Sequence, residues 1–351
     1  MIPWFQPELG EEEKEAVCRI IDSGYINDGE EVTRFEERIT AITKTKYCVA
    51  VSSGTAAIAL ALLASGIERG DVVLVPDFTF IATANAVKLA GAIPVLCPIS
   101  PHNLTINPYA LPIANTAKAI IAVDVNGRSC DYTALAKTGL KIICDSTEAL
   151  GSQGVGRPLG SFGVAGCFSF SANKLVTTGQ GGAIVTNDVE IARRARALKN
   201  QGVEGKGTGG DDLHPTVGFN FKFTNLQAAI GLVQIARMQK RLERMASRHK
   251  LYKAMLGDLE MVRFPKTEFD EFLLWEDVLF TDRGAVERAL KRADIGFRNF
   301  WHPLSTQAPY RTNVMGTRHI SESGMWLPSC FSITDGQIEK VASIIRNAFL
   351  R

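Results

Sequence analysis

From about residue 45 onward, short apolar runs alternate with stretches of helical spacing. The runs at 47–51, 72–75, 93–96, 118–124, 141–145, 167–171 and 183–186 read as strands. Helices are predicted over 56–65, 82–89 and 188–199. Nearly continuous apolar strands that alternate with helices imply a mostly parallel sheet buried on both faces, hence an α/β fold. Two of the runs end in aspartate, at Asp124 and Asp145.

The pattern changes after residue 200. Five glycines within 201–210 predict a mobile surface loop. Residues 224–256 predict one long helix, with the basic run 237–248 as its solvated face. The remainder reads as a smaller α+β domain, with a strand at 278–281 and helices at 285–293 and 335–349. The expected organisation is therefore a large domain over 1–240 and a small C-terminal domain over 241–351.

Composition narrows the class. A chain of 351 residues with 46% hydrophobic and 22% charged residues can bury a sizeable core without disulfide or metal. A net charge of +2 gives no electrostatic footprint for nucleic acid. Seven cysteines with no CxxC pair and no metal spacing imply a reducing compartment. No secretory signal opens the sequence, and a cytoplasmic protein is expected. The most apolar window, 49–67, is broken by Ser52, Ser53, Gly54, Thr55 and Ser65, so it reads as strand, turn and helix and not as a membrane span. No His/Asp/Glu cluster has metal-ligand spacing.

Ligands of open parallel sheets bind beyond the carboxyl ends of the strands. Asp145 ends one strand here, Ser52-Ser53-Gly54-Thr55 follows another and opens a helix, and Ser169 and Lys174 follow a third. Each has an ordinary reading alone: an N-cap, a buried hydrogen-bonding Asp, a solvated Lys. No GxxxxGK[ST] run occurs, and the GxGxxG of a dinucleotide fold is lacking where it would be needed. Together they are the parts of a pyridoxal 5'-phosphate (PLP) site, which needs a lysine, a carboxylate for the ring nitrogen, an anion site and a flat apolar group. A helix N-terminus with hydroxyls suits the phosphate.

The run from Phe168 through Lys174 to Gly179-Gln180-Gly181-Gly182 and Asp188 resembles the lysine segment of the DegT/DnrJ/EryC1/StrS aminotransferases. The likeness continues in Ser52-Ser53-Gly54-Thr55-Ala56-Ala57, Pro76 to Asn85, Asp145-Ser146-Thr147-Glu148, His214 to Lys222, Asn225-Leu226-Gln227, Trp301-His302-Pro303-Leu304 and Leu327-Pro328. The resemblance implies the PLP-dependent aminotransferase fold of type I. It further implies that Lys174 carries the cofactor as a Schiff base, Asp145 pairs with the ring nitrogen, Glu148 lies near the ring and Phe80 stacks on it. Gly54, Thr55, Ala56 and Ser169 would bind the phosphate, joined by Asn220 from a partner chain, so that a homodimer shares its active sites. The substrates implied are an amino-acid donor, usually glutamate, and a keto-sugar, with nucleotide-linked 4-keto-6-deoxy sugars closest. Non-nucleotide and higher acidic keto-sugars stay open. So does a deoxysugar dehydratase, although those carry His where this chain has Lys174.

Two departures stand out. Asp124 replaces a frequent His and Lys222 a usual Arg, both expected on the substrate side. Lys222 and Arg298 are candidates to neutralise a diphosphate. His102, His249 and His319 read as surface residues; His214 and His302 could either face a substrate or pack.

Overall fold

The computed structural model describes residues 1–112, 116–204 and 213–349. In chain order the elements are α1 (Glu11–Ser23), α2 (Glu30–Thr43), β1 (Tyr47–Val51), α3 (Gly54–Ala64), β2 (Val72–Pro76), α4 (Ala82–Leu89), β3 (Ile93–Cys97), β4 (Ala117–Val123), α5 (Tyr132–Ala136) and β5 (Lys141–Asp145). A two-residue hairpin, β6 (Gln153–Gly154) and β7 (Arg157–Pro158), precedes β8 (Ala165–Ser169), β9 (Gly182–Thr186), α6 (Val189–Lys199), α7 (Asn225–Ala236) and α8 (Met238–Leu256). The chain ends with β10 (Val262–Arg263), β11 (Glu276–Phe280), α9 (Arg283–Arg292), β12 (Arg298–Asn299), α10 (Thr317–Ser323), β13 (Gly324–Leu327) and α11 (Asp335–Ala348).

The main sheet runs β1-β9-β8-β5-β4-β2-β3. Its pairs are parallel except where β9 meets β1 and β8. The strands are apolar on both faces because helices cover both. On one face lies α3, whose sequence Gly-Thr-Ala-Ala-Ile-Ala-Leu-Ala-Leu-Leu-Ala has no polar stripe; it packs against the sheet, α4 and α6. A helix apolar all round is stable only when enclosed. The expected strands and helices of this region are present, with bounds shifted by one or two residues. The α1 and α2 helices stand ahead of the first predicted strand, and both pack on α7.

The second sheet, β10-β11-β13-β12, is antiparallel. With α8, α9 and α11 it encloses a separate core around Tyr252, Val278, Leu290, Met325 and Ile338. Ile2 joins that core and bridges to Ile295, so the N-terminus is tied to the C-terminal part of the chain. Among the described residues, no helix is long and apolar enough to cross a membrane.

Three expectations need correction. The helix over 224–256 is two helices: at Arg237 the N–H bonds back to Gln234 and Ile235, tightening the turn, while the guanidinium pairs with Glu12 and Glu13 of α1. The basic run is not simply a solvated face. Arg241 is buried and donates to Gln234 and the Leu175 carbonyl; Arg248 is fully buried and donates to the carbonyls of Leu273, Leu274 and Ser329. His249 is half-buried, with Nδ1 2.8 Å from Glu276 Oε1. Of the expected glycine-rich loop, 205–210 lie outside the described residues.

Candidate active site

The C-terminal ends of β1, β5 and β8 open onto a cavity of about 400 Å³, closed on its far side by Trp275, Arg298 and Trp301. Gly54, Thr55, Phe80, Asp145, Glu148, Ser169 and Lys174 all line it. Two expected residues do not. Ala56 is buried one position further along α3, where its N–H donates to Ser53 Oγ at 3.1 Å as part of the N-cap. Asn220 is exposed and bridges to Asn200, away from this chain's cavity.

Asp145 ends β5 and is buried. Its Oδ1 accepts the Thr147 hydroxyl at 2.7 Å and the Thr147 N–H at 3.3 Å; its Oδ2 accepts the Thr83 hydroxyl at 2.8 Å. Thr83 spends its one proton on Asp145, so Thr79, 2.8 Å away, must donate to Thr83. Burial pushes the Asp145 carboxyl above the usual range, against the pull of the two threonines and of the Lys174 charge. Among the described residues no cation lies within ion-pair distance of it.

Lys174 sits in the loop after β8, where its N–H closes a turn on the Ser171 carbonyl at 3.0 Å. Its Nζ lies 3.3 Å from Glu148 Oε1 and 5.0 Å from the centre of the Trp275 ring. The other Glu148 oxygen accepts the Asn126 N–H at 3.0 Å. Burial raises the Glu148 carboxyl, opposed by the Lys174 charge and that N–H.

The N-terminus of α3, where Ser53 caps the Ala56 N–H, borders the cavity beside Thr55 and Ser169 and suits an anion. The approach is close. A Cβ on Gly54 would stand 2.8 Å from Ser169 Cβ, and one on Gly182 would stand 2.4 Å from the Ser53 carbonyl. Phe80 is half-exposed and its ring lies 6.5 Å from that of Trp301. Arg298 is held between Trp4 and Trp326, its guanidinium carbon 5.3 and 5.7 Å from the two ring centres. Among the described residues no carboxylate pairs with it.

The profile of the DegT/DnrJ/EryC1/StrS aminotransferase family matches residues 7–346. The chain belongs to this family. It is a PLP-dependent aminotransferase. GDP-perosamine synthase of Vibrio cholerae is 32% identical over 99% of both chains. The aminotransferase TlmJ of Streptoalloteichus hindustanus superposes with a TM-score of 0.92 at 26% identity, covering 100% of this chain and 99% of that one. DesV of S. venezuelae, solved in complex with a ketimine intermediate, superposes with a TM-score of 0.90 at 28% identity, covering 97% and 95%.

The residues of this aminotransferase fit PLP. A buried carboxylate without a cation, a nearby amine, a helix N-terminus with hydroxyls and a glycine cradle that a Cβ would fill all border one cavity. The departures sit elsewhere than expected. Asp124 is fully buried behind the cavity wall, where it accepts from Ser146 Oγ at 2.6 Å, Tyr132 Oη at 2.8 Å and the Cys130 N–H at 3.2 Å. Lys222 donates to Asn200 at 3.3 Å and does not line the cavity; nor does His302, which is exposed. Thr83, Trp275 and the Asn126 N–H carry contacts for which the sequence offered no local signal, because each partner is far away in the chain.

Proposed function

We propose that the enzyme moves an amino group from an amino acid, with glutamate as the expected donor, to the keto group of a nucleotide-linked 4-keto-6-deoxy sugar. Relatives named GDP-perosamine synthase support the substrate class. The single observation that carries the chemistry is the shared cavity of Asp145 and Lys174: a buried carboxylate with no cation partner among the described residues, and an amine within reach of the same space.

PLP, when bound, supplies an aldehyde that holds the amino group in transit and a ring that accepts an electron pair. The chain does the rest. The Asp145 carboxylate, aimed by Thr83 and Thr147, holds a proton on the ring nitrogen. Lys174 Nζ would move a proton from the donor's Cα to the cofactor carbon that carries the transferred nitrogen, and in the second half-reaction would move one from that carbon to the sugar carbon that receives the amine. Glu148 would offset the charge that the Lys174 amine carries within each proton transfer. Gly54, Thr55 and Ser169 bind the phosphate and Phe80 covers the ring. Arg298, pinned by two indoles and paired with no carboxylate among the described residues, receives an anionic group of the substrate. Asn220 reaches the second site of a homodimer, which accounts for its exposure here.

The test is a screen. The amine-loaded form of the enzyme, prepared with glutamate, is offered a panel of nucleotide-linked keto-sugars and free keto-sugars. A 4-keto-6-deoxy nucleotide sugar should be aminated at least about tenfold faster than the free sugars, the factor that corresponds to about 1.4 kcal/mol of recognition of the nucleotide part. Equal rates would reject the substrate assignment.

A further inference from the structure

We infer that Asn126 is a positioning residue: it fixes Glu148 and Trp275 on two sides of the Lys174 amine and so governs how available that amine is. This rests on Lys174 being the cofactor-carrying lysine.

Asn126 lies in the turn after β4 and is fully buried. Its backbone is in the left-handed region at φ 53°, ψ 30°, which an Asn tolerates far better than most residues. The side chain makes a double bond pattern with one distant residue. Nδ2 donates to the Trp275 carbonyl at 2.7 Å, and Oδ1 accepts the Trp275 N–H at 2.8 Å. Two short bonds to the N–H and carbonyl of one residue fix the backbone of Trp275, whose ring lies 5.0 Å from Lys174 Nζ. The Asn126 N–H donates to Glu148 Oε2 at 3.0 Å, leaving Oε1 to face Lys174 at 3.3 Å.

The neighbours are built for the same approach. A Cβ on Gly127, at φ 93°, would stand 2.2 Å from the Phe272 carbonyl, so only glycine lets this turn lie against the segment that carries Trp275. Arg128 then binds Asp277 with both terminal nitrogens, at 2.6 and 2.7 Å. Three consecutive residues thus dock the β4 turn onto the segment bearing Trp275, and of the three Asn126 alone touches both walls of the lysine. The charged groups that face the amine are Glu148 and Asp145.

Asn126→Gly removes both side-chain bonds while keeping the N–H and the left-handed turn accessible. Released from its anchor, Trp275 should draw away from the amine, while the retained N–H still holds Glu148. In cofactor-free protein, acetylation of Lys174 by acetic anhydride, read by mass spectrometry against exposed Lys118, should then rise about 5-fold, the factor expected for one net hydrogen bond of about 1 kcal/mol. In the holoenzyme the absorption band of the lysine-bound cofactor should shift, and kcat should fall while the donor KM changes little. In a Trp275→Leu background the same substitution should alter acetylation by less than about 2-fold, because the effect runs through the Trp275 ring. If the glycine variant does not fold, Asn126→Ser takes its place with the same expected direction. An acetylation ratio at the wild-type value in folded protein would overturn the inference, as would a full effect in the Trp275→Leu background. Acetylation needs neither sugar nor cofactor, so its failure would leave the proposed function standing.

Discussion

Asp124 and Asp145 look alike in the sequence: each ends an apolar strand run, and the two strands are neighbours. In the structure they serve opposite surroundings. The register of β4 on β5 pairs Val123 with Asp145. Asp124 therefore lies one residue past the position level with Asp145, and one residue along a strand reverses the face to which a side chain points. Val123 and Asp145 border the cavity, whereas Asp124 turns back into a pocket of Tyr132, Ser146 and Cys130. The two backbones still touch, the Asp124 N–H donating to the Asp145 carbonyl at 3.0 Å. A carboxylate at a strand end is thus not a site by itself; the register decides whether it reacts or seals.

The sharpest way to break this comparison is to neutralise each aspartate. Asp145→Asn should cut transamination by about two orders of magnitude or more, since it removes the charge that holds a proton on the ring nitrogen. Asp124→Asn should cost less than about tenfold, because no atom of Asp124 reaches the cavity. Steady-state kcat/KM for the two variants checks this; comparable losses would mean that Asp124 acts on the reaction after all.

A smaller effect separates the groups that serve only Asp145. Thr83→Val removes the hydroxyl that donates to Oδ2. Its loss should lower kcat/KM by about 5-fold, as expected for a hydrogen bond of about 1 kcal/mol. The lost bond favoured the ionised carboxyl, so the acid limb of the pH–rate profile should move to higher pH.

The smallest expected effect concerns the sealed aspartate. Burial pushes the Asp124 carboxyl up to about 7, against its hydrogen bonds to Ser146, Tyr132 and Cys130. An unfolded Asp ionises near 4. Between those values the folded chain holds a proton that the unfolded chain has released, so native stability falls as pH rises through this window and levels off above it. Urea unfolding at pH 5 and pH 8 should show Asp124→Asn gaining on the wild type at the higher pH. A difference independent of pH would contradict the assignment.

Much of this could be read in the sequence for definable reasons. Strands buried on both faces produce apolar runs that need no partner to be recognised, and α3 betrays its enclosure by lacking any polar stripe. Asp145 and Lys174 stood out through neighbours in the chain. What stayed hidden depends on residues distant in sequence. Thr83 meets Asp145 across 62 positions, and Trp275 reaches Lys174 from the segment just before β11. Arg241 and Arg248 lie in a basic run that has every local feature of a wet helix face, yet unpaired carbonyls of other segments draw them inside. The break at Arg237 has no proline or glycine to announce it; it follows from glutamates on α1. The side of the sheet on which Asp124 falls is a matter of register, which no single strand encodes.

The most direct test is to reduce the cofactor-loaded protein with borohydride, digest it and locate the modified peptide by mass spectrometry. The account predicts a phosphopyridoxyl group on Lys174 alone, and none in a Lys174→Ala variant that has also lost the visible band. A label on another lysine, or a Lys174→Ala variant that keeps both the band and full turnover, would contradict it.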